Sequence, residues 1–218
     1  MLRKLVHPGI VRTYDCGLHD GCPWFTMELL DGASIRELLE SRRGEPFSAR
    51  SALRLADAVA SALVAVHDHD IVHRDLKPSN VYVAKGGRIK LIDFGIAASL
   101  QSPLKLTSVE LVMGTPAYLS PERLLSAAPA QPTADLYALG VLLFECLTGV
   151  RPFSGGAVDK LLQRIRDKPP PRVRSLVPDV PESLDELVDE LLAKKPEHRP
   201  PSAAQLRRRL RAIAAETR

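Results

Sequence analysis

His73-Arg74-Asp75-Leu76-Lys77-Pro78-Ser79-Asn80, with Asp93-Phe94-Gly95 shortly after it, is the stretch on which the reading of this chain turns. Between the two motifs, Val81-Tyr82-Val83-Ala84 and Arg88-Ile89-Lys90-Leu91-Ile92 have the composition of short strands, and Gly86-Gly87 reads as a two-residue reversal joining them. If residue 86 pairs with residue 87, Asn80 stands opposite Asp93, with Cβ atoms roughly 5 Å apart. An amide oxygen and a carboxylate at that separation suit a hard, oxygen-seeking cation such as Mg²⁺. A slip of one residue would turn one of the two to the other face of the hairpin.

Working outward, residues 9–30 alternate short apolar runs with Gly17 and Gly21 and are expected to form two strands joined by a turn, then an extended segment. Ser34 to Ser41 reads as a short helix. Ser48 is a plausible N-cap for a long one, in which Leu53, Ala56, Ala60, Leu63, Val64 and His67 recur at helical spacing. That helix delivers the chain to His73. Residues 96–121 have little periodicity and read as a long functional loop. Thr133 to Thr148 is strongly apolar and reads as a buried helix ended by Gly149 and Pro152. A proline-rich linker over 168–181 precedes two closing helices, about 183–194 and 202–215. Strands first and helices after predict an α+β fold, mainly helical with a β-containing flank.

The composition is that of a globular domain, with 45% hydrophobic and 26% charged residues in 218. No apolar run approaches a membrane span and no signal peptide opens the sequence, so a cytoplasmic protein without a membrane segment is expected. Cys16, Cys22 and Cys146 are odd in number and scattered, which speaks against a disulfide framework or a zinc site. The net charge of +4 owes much to Arg207, Arg208, Arg209 and Arg211. Leu206, Leu210 and Ile213 define the opposite, apolar face of the same helix, and no aromatic residue is interleaved to stack on bases. The arginines therefore read as a solvated face, with no nucleic acid as partner.

His73 to Asn80 fits H-R-D-L-x-x-x-N and Asp93 to Gly95 fits D-F-G, and together they resemble protein kinases of the eukaryotic-like, bacterial serine/threonine type. The resemblance extends along the chain. His7-Pro8-Gly9-Ile10-Val11 resembles the turn into the family's fourth strand, and Met27-Glu28 its gatekeeper and first hinge residue. Gly114-Thr115-Pro116-Ala117-Tyr118 with Ser120-Pro121-Glu122 resembles the substrate-docking segment. Asp135 to Gly140 resembles the buried F-helix and His198-Arg199-Pro200 the late arginine motif. The implied domain is one kinase domain over 1–218, with 1–27 a remnant of the N-lobe and 28–218 the hinge and C-lobe.

The resemblance implies ATP and Mg²⁺ as cofactors and a protein Ser/Thr hydroxyl as acceptor. Asp75 would accept the hydroxyl proton and Lys77 would neutralise charge on the phosphoryl group. Met27, Glu28, Lys77, Asn80, Tyr82 and Asp93 would meet the nucleotide, with Asn80 and Asp93 holding the metal. Tyr82 stands where the family usually has Leu, so its hydroxyl needs a partner. Arg74 would pair with a phosphate on the 96–121 loop, at Thr107 or Ser108, while Thr115 would bridge Asp75 and Lys77. His73 and Phe94 read as packing residues, and His67, His69 and His73 as no metal cluster. Glu122 and Arg199 would form a buried ion pair, and Asp135 would accept backbone hydrogen bonds from the acid loop.

The sequence contains no G-x-G-x-x-G loop and no V-A-I-K-type lysine. Both the lysine–glutamate pair and the D-F-G aspartate with its metal belong to an active kinase. An N-terminally truncated kinase domain, inactive alone, is therefore expected, with an exposed apolar face along residues 5–30. The alternative is a pseudokinase-like binding or scaffold module. A second copy or a regulatory protein is a further conceivable partner.

Overall fold

The computed structural model describes residues 5–20, 22–93, 116–125 and 129–217. Phe94, Thr107, Ser108 and Thr115 lie outside them. The described chain begins with an antiparallel hairpin of β1 (Thr13–His19) and β2 (Cys22–Met27), which forms a sheet of its own. A linker leads to β3 (Gly32–Ser34), α1 (Ile35–Ser41) and α2 (Ala49–His67). Then come β4 (Val81–Ala84) and β5 (Arg88–Leu91), which with β3 make a three-stranded antiparallel sheet in the order β3-β4-β5. The rest is helical: α3 (Pro121–Leu125), α4 (Pro132–Thr148), α5 (Val158–Asp167), α6 (Glu182–Leu191) and α7 (Ala203–Glu216).

Local chemistry explains the helix starts. Ser34 and Glu37 form a capping box: Ser34 Oγ accepts from the Glu37 N–H at 3.2 Å and the Glu37 carboxylate accepts from the Ser34 N–H at 2.7 Å. Ser48 caps α2 and Ser202 caps α7 in the same one-sided way, each through its hydroxyl. α4 opens with Pro132 in its first turn and ends on Gly149, left-handed at φ 75°. Gly149 is required twice over, since a Cβ there would lie 1.8 Å from the Gly44 carbonyl oxygen.

The core is built round α4, whose residues from Ala134 to Leu147 are all buried. A helix apolar on every side can only lie inside the protein. α2 packs against it with Leu53, Ala56, Val59, Ala60, Leu63 and Val66, and α6 does so with Leu184, Leu187 and Leu191. α7 lays Leu206, Leu210 and Ile213 into this core. The arginines of its opposite face keep contact with solvent, and three of them are also ion-paired. Arg207 and Arg211 share Asp57 of α2, each at 3.1 Å, and Arg209 grips Glu190 of α6.

One expectation is corrected. The hairpin pairs Val81 with Leu91, Tyr82 with Lys90, Val83 with Ile89 and Ala84 with Arg88, leaving Lys85, Gly86 and Gly87 as a three-residue loop. Gly86 and Gly87 are both left-handed, at φ 81° and 75°, and the loop closes with Gly87 N–H donating to the Ala84 carbonyl at 3.0 Å. The reason is the two-residue alternation of the strands. This register puts Val81, Val83, Ile89 and Leu91 on one face. The two-glycine register would have set Lys90 against Val83 among them. Ile92, not Asp93, therefore stands opposite Asn80, with its N–H donating to the Asn80 carbonyl at 3.0 Å.

The apolar face expected along residues 5–30 is exposed only in part: Tyr14, Leu18, Trp24, Phe25, Met27 and Leu29 are exposed, whereas Leu5, Ile10 and Val11 are buried in the core. Among the described residues no helix is long and apolar enough to cross a membrane.

Gly140 gives a test of the packing. A Cβ there would come within 2.7 Å of the Leu191 Cβ, where α4 and α6 touch. Intrinsic propensity favours alanine in a helix by about 1 kcal/mol. Gly140→Ala should nonetheless destabilise the protein by about 1–3 kcal/mol, read as a fall in the urea midpoint; a rise would show that the two helices do not meet there.

Candidate active site

α2 ends at His67, and the chain turns back to reach His73. The loop that follows is held by Asp135, a buried carboxylate in the first turn of α4, where the helix dipole favours negative charge. Asp135 Oδ2 accepts from the His73 N–H at 2.8 Å and Oδ1 from the Arg74 N–H at 2.9 Å. His67 Nε2 donates to the same Oδ2 at 2.9 Å. The two backbone bonds are those expected from the sequence; the His67 bond is an addition. Gripped in this way, Arg74 adopts a left-handed φ of 69°, uncommon for a side chain with a Cβ.

The bend brings the acid, lysine and amide of the motif together. Asp75 Oδ2 accepts from Lys77 Nζ at 2.6 Å and from Asn80 Nδ2 at 3.0 Å. Asn80 Nδ2 also donates to the Asp75 carbonyl at 2.8 Å, which fixes the amide with its nitrogen toward Asp75 and its oxygen Oδ1 away. Asp75 Oδ1 has no partner among the described residues. The Asp75 side chain is 49% exposed, so this oxygen belongs to a carboxylate that solvent can reach. Asp93 follows the end of β5, is exposed, and has a left-handed φ of 55° that turns the chain out of the ladder. Asn80 and Asp93 are thus neighbours by chain path, but not the directly opposed pair that the glycine reading expected.

His73 is fully buried beneath this loop. Desolvation drives its pKa down, against the pull of Asp135, Asp75, the Ile92 main chain and Asp93, so the ring is neutral.

Of the residues expected to meet a nucleotide, Met27 closes β2 and Glu28 begins the linker to β3. The Glu28 carboxylate accepts from the Arg12 N–H at 2.9 Å and is ion-paired with Lys90. The Tyr82 hydroxyl does find a partner: it donates to the Gly32 carbonyl at 2.8 Å.

The expected Glu122–Arg199 pair is bidentate, with both N–H···O distances 2.8 Å. The buried guanidinium also donates to the carbonyls of Thr133, Ala193 and Lys194 and lies over the Tyr137 ring at 4.9 Å. Burial raises the Glu122 pKa, but the hydrogen bonds and charge of Arg199 outweigh it and hold the carboxyl below its usual value. Sequence reasoning missed a second anchor of the 116–125 segment. The Tyr118 hydroxyl hydrogen-bonds Glu145 of α4, and Arg36 of α1 donates to Tyr118 at 2.9 Å while facing Glu145 at 3.4 Å. The signal was there: an acid inside the apolar run Leu142 to Leu147 must have a partner.

Comparison with known proteins places this geometry. A protein-family model, the protein kinase domain, matches residues 1–209. The serine/threonine-protein kinase PknL of Mycobacterium tuberculosis is 35% identical over 213 residues, which cover 98% of this chain and 52% of PknL. The serine/threonine-protein kinase PrkC of Bacillus subtilis is 36% identical over 196 residues, covering 90% of this chain and 30% of PrkC. The chain therefore spans about half or less of the length of these relatives. Among solved structures, the Mycobacterium tuberculosis PknI kinase domain superposes with a TM-score of 0.74 at 27% identity, covering 97% of this chain and 74% of that one.

Two outcomes are expected. Arg199→Ala strands Glu122 in a half-buried place, and should cost about 3–5 kcal/mol in chemical denaturation. Because the folded pKa of His73 lies below its unfolded value of about 6.5, the unfolded chain binds the extra proton first. Its contribution is complete above that pH and shrinks as pH falls below it, so the thermal midpoint should drop between pH 7 and 5.5, by less in His73→Phe.

Proposed function

This chain belongs to the protein kinase family, and we propose that it carries the catalytic loop and substrate-binding region of a serine/threonine kinase transferring the γ-phosphate of ATP to a protein hydroxyl. Within it, residues 1–27 would form part of the N-lobe and 28–218 the hinge and C-lobe. The observation that carries the reading is the state of Asp75. One of its oxygens is held by Lys77 and Asn80, and the other has no partner among the described residues, which suits a substrate hydroxyl.

The mechanism follows from that division. Asp75 Oδ1 receives the hydrogen bond of the acceptor Ser or Thr hydroxyl and orients its oxygen toward the γ-phosphorus. As the new O–P bond forms, the hydroxyl proton passes to Asp75 and the bond from the γ-phosphorus to the bridging oxygen breaks, leaving ADP. Lys77, held against Asp75 at 2.6 Å, supplies positive charge beside the transferring group. Asn80 Oδ1 and the exposed Asp93 carboxylate are the hard oxygen donors that fit Mg²⁺. When bound, that ion neutralises phosphate charge. Met27, Glu28 and Tyr82 border the base end of the nucleotide. Arg74 is exposed and its guanidinium has no partner among the described residues, which suits pairing with a phosphate on Thr107 or Ser108. Thr115 would bridge Asp75 and Lys77.

Without a G-x-G-x-x-G loop or V-A-I-K-type lysine in the sequence, the 218-residue chain meets nucleotide only from the linker and the floor. It should bind MgATP weakly and turn over negligibly by itself. The uncovered Trp24, Phe25 and Leu18 favour a second reading, a binding module whose hairpin is covered by a partner.

Titration with ATP, with and without Mg²⁺, tests the first reading. Binding should require Mg²⁺, fall at least ten-fold in Asp93→Asn, and persist in Asp75→Asn, while any phosphate transfer to a basic protein acceptor disappears in Asp75→Asn. Binding indifferent to Mg²⁺ and Asp93 would leave only the binding module standing, and transfer surviving in Asp75→Asn would remove the proposed base.

A further inference from the structure

The segment from Glu28 to Gly32, the first residue of β3, joins the first hairpin to the rest of the chain, and Tyr82 and Lys90 of the second hairpin hold its two ends. An exposed pair, Lys85 with Asp31 at 2.6 Å, adds a solvated contact between them. Tyr82 on β4 and Lys90 on β5 are directly opposed partners, so they project from the same face of the sheet. Lys90 Nζ is ion-paired with the Glu28 carboxylate at the start of the linker and donates to the Ile10 carbonyl at 3.4 Å. The Tyr82 hydroxyl donates to the Gly32 carbonyl at 2.8 Å, with the Leu30 carbonyl at 3.5 Å, at the other end.

The Lys90–Glu28 pair is not an ordinary surface ion pair. The two side chains are only 13% and 24% exposed. Glu28 is further fixed by the Arg12 N–H on its carboxylate and by its own N–H on the Arg12 carbonyl at 2.9 Å. Lys90 thereby touches the chain before β1, at Ile10, and after β2, at Glu28. A close backbone approach completes the arrangement: a Cβ on Gly32 would lie 2.1 Å from the Val83 carbonyl oxygen, so the linker is pressed onto β4 at the place where Tyr82 holds it.

We infer that Tyr82 and Lys90 form a cross-strand clamp that fixes the 28–32 linker for the base of a bound nucleotide, Lys90 as a positioning residue acting through Glu28 and Tyr82 through Gly32 in addition to bordering the base itself. The inference rests on the kinase reading above, in which this linker borders the base. The clamp acts on the base end alone. The phosphate end belongs to Asn80, Lys77 and Asp93, which neither Tyr82 nor Lys90 contacts. Fixing the linker before binding removes an ordering cost that the ligand would otherwise bear.

The test uses the full chain with Tyr82→Phe, which removes only the hydroxyl, and Lys90→Met. Two readouts are taken: hydrogen exchange of the 28–32 amides, and titration with adenosine and with Mg²⁺-tripolyphosphate as separate probes of the two ends. Both variants should speed exchange in the linker but not in α4. Adenosine affinity should drop about three- to ten-fold in Tyr82→Phe, the equivalent of one hydrogen bond, and further in Lys90→Met, which leaves Glu28 without its cation. Tripolyphosphate affinity should be unchanged in both. Unaltered linker exchange would overturn the clamp. A loosened linker with unaltered adenosine affinity would overturn its role in positioning the base. An unsubstituted chain that binds neither probe, while the linker still loosens in both variants, would instead overturn the kinase reading and with it the functional half of the inference.

Discussion

Asp135 occupies a place where a carboxylate is costly unless fully used. It lies in the first turn of α4, 1% exposed, and its two oxygens take hydrogen bonds from the His73 N–H, the Arg74 N–H and His67. The helix dipole favours its charge there, and the three donors replace the water it has lost. The rest of the candidate site is downstream of this grip. With the backbone at 73–74 fixed, Arg74 can hold a left-handed conformation, and the chain turns sharply enough for Asp75, Lys77 and Asn80 to converge. A mobile loop would have left Asp75 free to turn both oxygens to water.

The same helix carries the other anchors. Thr133 at its start accepts from Arg199, which ties down Glu122. Tyr137 lies under the Arg199 guanidinium, and Glu145 near its end binds Tyr118. One buried helix thus holds the 73–80 loop at its first turn and the 116–125 segment along its length. The interior of α4 is otherwise apolar, so its two buried carboxylates, Asp135 and Glu145, each mark a connection to another segment, while Thr148 only closes the helix end. Buried pairs of this kind add little net stability compared with apolar packing, but breaking one is expensive, and they therefore fix one arrangement against others.

How much of this could be read from the sequence depended on whether the controlling physics was local. The cap at Ser48, the helix end at Gly149 and the apolar run of α4 are encoded within a few residues and were legible, whereas Ser34 was read as part of the helix it caps. Asp135, Glu122 and Arg199 were legible through the motifs that contain them. α5 was missed although Val158, Leu161, Leu162 and Ile165 have helical spacing. Gly155 and Gly156 before it, the prolines after it and its high charge masked a helix that buries only Leu161 and Ile165. β3 is three residues long, too short to show alternation. The Arg36–Tyr118–Glu145 network joins three distant segments, and nothing local in the sequence says which will meet.

The second hairpin shows two local signals in competition. Two adjacent glycines favour a two-residue turn, and that turn would have set Asn80 opposite Asp93, Tyr82 opposite Leu91 and Lys90 opposite Val83. The alternation of valine, isoleucine and leucine favours a register one residue away. The apolar pattern wins because a glycine pair can occupy consecutive left-handed positions in a three-residue loop at small cost, whereas a lysine on the core face would have to shed its hydration. Val81 and Leu91, which the observed register brings together, have no exposed surface at all. Burial on one face thus fixed the chemistry on the other. The register that saves the core is also the one that sets Tyr82 beside Lys90, within reach of the linker, and it frees Asp93 from the ladder to turn outward beyond the strand end.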